Sequence, residues 1–261
     1  MSGLSIFDLS GRAAVVWGGG GAIGSAIAAT LGRAGASVTI IDQDPDRIAA
    51  AEAKLRDAGV DCLGLSGDAT DRPECDRLVA QAMGRFGRLD ICFNAIGGGA
   101  GKVLHPAEDY PVEDWDWILD LNLRSTLYGT QAAVKAMITA GHGGRVLSMS
   151  SVRGQLGINA GYSAYVAAKG AINSLTRQWA TEWAKHNITV NAIAPTFVDT
   201  PQVAMLLDDP VFKANLVARV PLGRVGSPDD LAGAVLFFCS DASAFVTGQV
   251  LTIDGGLTAT Q

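Results

Sequence analysis

At 261 residues, with 48% hydrophobic and 18% charged residues, the chain has the composition of an ordered globular protein, long enough for one large α/β domain or two small ones. A formal net charge of −6, with no cluster of Lys and Arg, counts against nucleic acid and anionic membranes as partners. Cys62, Cys75, Cys92 and Cys239 form no C-x-x-C pair and His105, His142 and His186 are scattered, so buried free thiols and no metal site are expected.

The first apolar run, 13–17, reads as a strand. The stretch between Arg12 and Arg33 carries no charge and is long enough to span a bilayer, but it holds six glycines, four of them consecutive at 18–21. That run breaks a helix and reads as a loop between a strand and a helix at about 22–33. Asp8 interrupts the charged-then-apolar pattern of a signal peptide, so a cytoplasmic location is expected. Further strands are predicted at 37–41, 62–65, 90–94, 145–150, 189–193 and 249–253, alternating with helices at about 45–58, 71–86, 113–140, 163–186 and 227–240. Such alternation predicts right-handed crossovers and an α/β fold, a doubly wound, mainly parallel seven-stranded sheet with helices on both faces. Ligands of these sheets sit at the carboxyl ends of the strands. The least regular segment, 196–219 with Pro201 and Pro210, reads either as a substrate-binding lid or as a surface helix-turn-helix.

The strand-end loops carry the first functional signal. Gly18-Gly19-Gly20-Gly21-Ala22-Ile23-Gly24 joins the first strand to the first helix, where glycines let backbone N–H groups approach a pyrophosphate. Asp42 closes the second strand, 18 residues after Gly24, where a carboxylate can accept from both hydroxyls of an adenosine ribose and repel a 2′-phosphate. NAD is therefore favoured over NADP; the competing account of Asp42 is a turn or cap before Pro45. Asp68 after the third strand and Asn94-Ala95-Ile96-Gly97 after the fourth continue the pattern.

The second signal is a pair on the 163–186 helix. Tyr165 and Lys169 are four apart and share a face. A phenol with a pKa near 10 becomes a useful base only when positive charge favours its phenolate, which an ammonium and an oxidised nicotinamide supply. Tyr165 then takes or returns an alcohol proton, and Ser151, closing the preceding strand, is placed to hold the reacting oxygen.

In these motifs the chain resembles the short-chain dehydrogenase/reductase family, of its single-domain type of about 250 residues, in order and over nearly its whole length. The resemblance rests on the 17–24 turn, the 94–97 segment, Asn122 between Leu121 and Leu123, and Ser151 in Met149-Ser150-Ser151-Val152. It continues through Tyr165-Val166-Ala167-Ala168-Lys169, 191–196 and the glycine-rich end at 248–256. It implies one NAD-binding Rossmann domain over 1–261 and a homotetramer built on the 113–140 and 163–186 helices and the C-terminus. Trp115, Trp117, Trp179 and Trp183 are candidates for those faces or for core packing. It implies that Lys169 contacts the nicotinamide ribose and lowers the Tyr165 pKa, that Asn122 holds a relay water, and that Asp68 and Ala69 meet adenine. Asn94 and Ala95 would lie by the adenosine-side ribose, and Pro195, Val198 and Thr200 by the carboxamide. The chain departs from the family pattern at Trp17 (for Thr), Ala22 (for Gly), Ala95, Ile96 and Thr196. Ser151 stands 14 positions before Tyr165, one more than usual, which leaves Ser150 as a second candidate.

Polar residues on the predicted substrate side, His105, Arg153, Gln155 and Asn159, suit hydroxyls or an anionic head group. The expected activity is the interconversion of a secondary alcohol and a ketone, or a hemiacetal and a lactone, on a sugar, sugar acid or polyol. The alternatives are a 3-oxoacyl thioester reductase and a non-catalytic dinucleotide-binding protein.

Overall fold

A computed structural model describes residues 5–99, 101 and 103–260; positions 100 and 102, within the predicted substrate-side loop, lie outside it. Seven strands, β1 (Ala13–Trp17), β2 (Ser37–Asp42), β3 (Cys62–Ser66), β4 (Ile91–Asn94), β5 (Gly144–Met149), β6 (Ile188–Pro195) and β7 (Val250–Ile253), form one sheet in the order β3-β2-β1-β4-β5-β6-β7. Every pairing is parallel. The strand order reverses beside β1, which pairs with β2 on one edge and β4 on the other, and that is where a crevice opens beyond the strand ends.

The core follows from strand alternation. Ala14 and Val16 of β1 join a cluster with α1 (Ala22–Arg33), α2 (Pro45–Asp57) and α9 (Asp229–Cys239), while Val15 and Trp17 face α3 (Arg72–Phe86), α5 (Ser125–Ala140) and α6 (Ser163–Trp183). Each face of the sheet is thus covered by three helices, a Rossmann arrangement. Local chemistry sets the helix starts. Asp44 accepts from the N–H groups of Asp46 and Arg47 ahead of α2, and Asp71 accepts from Glu74 ahead of α3. Capping before Pro45 is done by Asp44, while the Asp42 carboxylate braces the turn ahead of it. All four cysteines are free and buried, and among the described residues no helix is long and apolar enough to cross a membrane.

One segment differs from expectation, and a second takes a helical form that the sequence allowed. The predicted helix at 113–140 is broken into α4 (Val112–Leu119), one π-helical turn at Asp120–Arg124, and α5. The irregular 196–219 segment holds two short helices, α7 (Ala204–Leu207) and α8 (Pro210–Val217). Trp17, where the family pattern has Thr, packs into the core. Its indole is fully buried beneath β1, where a Cβ on Gly129 of α5 would lie 2.9 Å from Trp17 Cε2 and Nε1.

Candidate active site

The glycine turn is pinned to β2: the N–H groups of Gly18 and Gly19 donate to Ile41 O at 2.7 and 3.0 Å. Gly18 has φ +76, and a Cβ on Gly24 would collide with the Gly18 carbonyl, so both positions need glycine for different reasons. Gly21 precedes α1 without any side-chain cap, which leaves the helix N-terminus open to an anion. Ala22 and Ile23 are half-buried in its first turn. Asp42 is half-buried at the end of β2; its Oδ1 accepts from Asp44 N at 3.2 Å, and its Oδ2 would lie 3.1 Å from a Cβ on Gly20. Arg47 flanks the same glycine, with its guanidinium paired to Asp44 at 3.2 Å. A cradle that added methyl groups would fill, beside an open helix end and a carboxylate, fits a dinucleotide.

The neighbouring loops divide between display and bracing. Asp68 is exposed, with Oδ1 accepting from Thr70 N and Oγ1 at 2.7 Å each, and Ala69 is buried behind it. Asn94 is turned into the core: its amide donates to Thr130 Oγ1 at 2.8 Å and Ser148 Oγ at 3.1 Å, tying β4 to α5 and β5. Both amide hydrogens of Asn94 are thereby committed within the protein. Ala95 N donates to Trp17 O at 2.9 Å. Pro195 ends β6, buried Val198 forms a bridge with Gly226, and half-buried Thr200 precedes α7.

At the chemical end, α6 carries Tyr165 and Lys169 one turn apart, with Lys169 Nζ 5.6 Å from the Tyr165 ring centroid. Lys169 is 1% exposed and donates to Met149 O at 2.9 Å. Burial lowers its pKa to about 7. Burial also raises the Tyr165 pKa above 10, opposed by the Ser151 hydroxyl and the positive charge of Arg153. In the protein alone, then, desolvation rather than Lys169 dominates the tyrosine. Asn122 sits on the π turn and clamps the Gly97–Gly98 loop: Oδ1 accepts from Gly98 N at 2.8 Å, and Nδ2 donates to Gly98 O and Ile118 O at 3.0 Å each. Its own carbonyl accepts from Thr126 Oγ1 at 2.9 Å.

The two serines separate cleanly. Ser150 Oγ donates to Asn173 Oδ1 at 2.6 Å inside the core, whereas Ser151 begins the next loop, accepting from Arg153 N at 3.1 Å and lying against Tyr165. Ser151 is therefore the one beside Tyr165. Of the substrate-side candidates, His105 Nε2 and Asp114 Oδ2 are 2.7 Å apart on the rim of a cleft of about 700 Å³ that Asn159 and Tyr162 also line. Arg153 donates to Gly157 O at 3.1 Å beside Tyr162 and Tyr165. Gln155 leans away, its amide donating to Thr252 Oγ1 of β7 at 3.3 Å, and is not brought to the others. Three contributors escaped the sequence. Tyr162 packs edge-on to Tyr165 at 6.3 Å, Gln202 donates to Gly97 O at 3.5 Å, and Trp117 lies against Gly99. Tyr162 was findable as the i−3 neighbour of Tyr165; the other two have no local signal.

The family model described as enoyl-(acyl carrier protein) reductase matches residues 20–258. The chain belongs to the short-chain dehydrogenase/reductase family. It is 37% identical over 250 residues to a cis-4-hydroxycyclohexanecarboxylate dehydrogenase of Sinomonas cyclohexanicum, covering 95% of this chain and 97% of that one. It is 35% identical over 256 residues to the 2-dehydro-3-deoxy-D-gluconate 5-dehydrogenase of Escherichia coli K12, covering 97% and 98%. A solved gluconate 5-dehydrogenase from Burkholderia cenocepacia, in complex with NADP and tartrate, superposes with a TM-score of 0.92 at 33% identity, covering 98% of each chain. The protein is therefore an oxidoreductase of the CH–OH class whose fold binds a nicotinamide dinucleotide.

Proposed function

We propose that this short-chain dehydrogenase/reductase interconverts a secondary alcohol and a ketone, or a hemiacetal and a lactone, on a sugar, sugar acid or polyol in the cytoplasm, using NAD. When bound, the dinucleotide accepts or supplies the hydride. The protein's part is positioning and proton movement. Ser151 holds the reacting oxygen, Tyr165 exchanges a proton with it, and Lys169 and Arg153 bring positive charge that favours the phenolate. Burial alone keeps Tyr165 protonated, so in the reducing direction it is ready to donate to a ketone oxygen. Asn122 holds the Gly97–Gly98 loop against this group, and the 196–219 helices form the lid over it.

The observation that carries this reading is the convergence of Ser151, Tyr165 and buried Lys169 at the carboxyl end of the sheet, beside a cradle that fits a dinucleotide. Asp42 supports NAD: a carboxylate beside Gly20 repels a 2′-phosphate, and the nearest cation, Arg47, is held by Asp44. The Burkholderia relative is recorded with NADP, so the assay compares both dinucleotides. Nicotinamide absorbance is followed with a panel of sugars, sugar acids, polyols and simple secondary alcohols, and in reverse with NADH. Turnover with a polyhydroxylated compound, lost by a factor of about 10²–10⁴ in Tyr165→Phe while NADH still binds, is the expected result. Turnover confined to 3-oxoacyl thioesters would replace the substrate reading. Turnover unaffected by Tyr165→Phe would remove the mechanism.

A further inference from the structure

Arg153 follows the loop that positions Ser151, and its guanidinium is enclosed: the residue is only 9% exposed. Its one hydrogen bond among the described residues is from Nη1 to Gly157 O at 3.1 Å. The charged or titratable groups acting on it are Arg219, Tyr162 and Tyr165, with no carboxylate among them. Buried cations ordinarily have an anion, since an unpaired one loses its hydration without return. Buried Lys169 also lacks an anion, but its lowered pKa of about 7 lets it shed the charge, a route closed to arginine. Arg145, also 9% exposed, pairs with Asp241 at 3.3 Å.

Arg153 breaks the rule at the reacting centre, and it does so facing a second cation. The nitrogens of its guanidinium that lack a protein partner are not sealed in, because none of them is among the buried side-chain atoms left without a hydrogen bond. Tyr162 and Tyr165 are among the groups whose charge acts on it. A planar fork of donors, held by one backbone carbonyl and otherwise open, matches the two oxygens of a carboxylate.

From this geometry we infer that the substrate carries a carboxylate, and that Arg153 binds it, with Arg219 from the 196–219 segment supplying further positive charge. The inference rests on the proposed function and narrows it from polyhydroxylated compounds in general to hydroxy and keto acids. Neutral polyols and simple alcohols would bind without the anchor. Arg153 acts here as a specificity-determining group whose missing counter-charge arrives with the substrate. The same carboxylate would offset the Arg153 charge that favours the Tyr165 phenolate, so binding and proton affinity are coupled through one guanidinium.

The test is calorimetric titration of the NADH-loaded protein with D-gluconate, tartrate and cis-4-hydroxycyclohexanecarboxylate, and with sorbitol as the neutral counterpart of gluconate. NADH prevents turnover of the alcohols. At least one carboxylate is expected to bind about 30-fold more tightly than its neutral counterpart, the usual worth of a charge-assisted pair. In Arg153→Met that preference should fall to within about threefold. Thermal unfolding without ligand supplies a readout that a structural role would move the other way. Removing an unpaired buried charge should leave the melting temperature of Arg153→Met equal to or above that of the parent. Sorbitol binding as tightly as gluconate, no carboxylate of the panel binding, carboxylate affinity surviving in Arg153→Met, or a variant that melts lower or fails to fold would each overturn the inference. Failure of NADH itself to bind would instead strike the proposed function.

Discussion

Replacing Lys169 by Met tests the electrostatics of the site without any knowledge of its substrate. Burial lowers the Lys169 pKa from 10.5 to about 7, so the folded protein binds this proton less tightly than the unfolded chain. Below about pH 7 both states hold the proton, and the native state bears the full cost of a buried ammonium. At about 1.36 kcal/mol per pKa unit, that cost is at most about 5 kcal/mol. Between pH 7 and 10.5 the folded protein has released the proton while the unfolded chain still binds it, so stability rises with pH. By pH 9 about 2 kcal/mol of the cost remains. Met carries no charge and shows none of this dependence. The hydrogen bond to Met149 O is lost equally at both pH values. Lys169→Met should therefore gain about 2–3 kcal/mol more, relative to the parent, at pH 6 than at pH 9. For a chain of this size that corresponds to about 5–10 °C in the difference between melting temperatures. Circular dichroism melts of both proteins at the two pH values read it directly, since all other titrations cancel. A difference that is flat with pH, or that favours the variant more at pH 9, would refute the argument.

Three more outcomes follow from the geometry. Gly24→Ala drives a methyl into the Gly18 carbonyl, and is expected to destabilise the protein by about 1–3 kcal/mol and weaken NADH binding, read by nicotinamide fluorescence, by about tenfold or more. Unchanged affinity would show that the turn is not the cradle. Asp42→Ala should lower the ratio of kcat/KM for NAD over NADP by at least about tenfold; an unchanged ratio would free Asp42 of that role. Light scattering should give a tetramer, in keeping with the exposed Phe245, Leu251 and Trp117, and a monomer would refute it.

The sheet was readable because each strand is buried on both faces and so appears as a short, nearly uninterrupted apolar run. The helix at 112–140 was not. A π turn inserts one residue without changing which side chains are apolar, so periodicity carried no sign of the break at Asn122. Spacing could not choose between Ser150 and Ser151, because the choice depends on which neighbour leaves the strand pointing into α6. Asn94 was placed correctly on the strand end, yet strand alternation sends its amide inward. His105 and Gln155 illustrate the limit at the substrate side. Their partners, Asp114 and Thr252, come from other segments, and nothing in the loop itself announces them.

The tryptophan beneath β1 fixes an order of events. With Trp17 in place, any side chain at position 129 would press on the indole, so the pair is sound only as Trp with Gly. A chain starting from the family's small Thr at position 17 could not have accepted the large ring first without forcing α5 from the sheet. With Gly already at 129, the space beside the helix accepts the indole. Reversion is closed in the same way: Trp17→Thr alone would hollow the core, at roughly the 3–5 kcal/mol of a large-to-small change. The glycine is thus the precondition for the tryptophan, and once the indole is seated neither position changes freely.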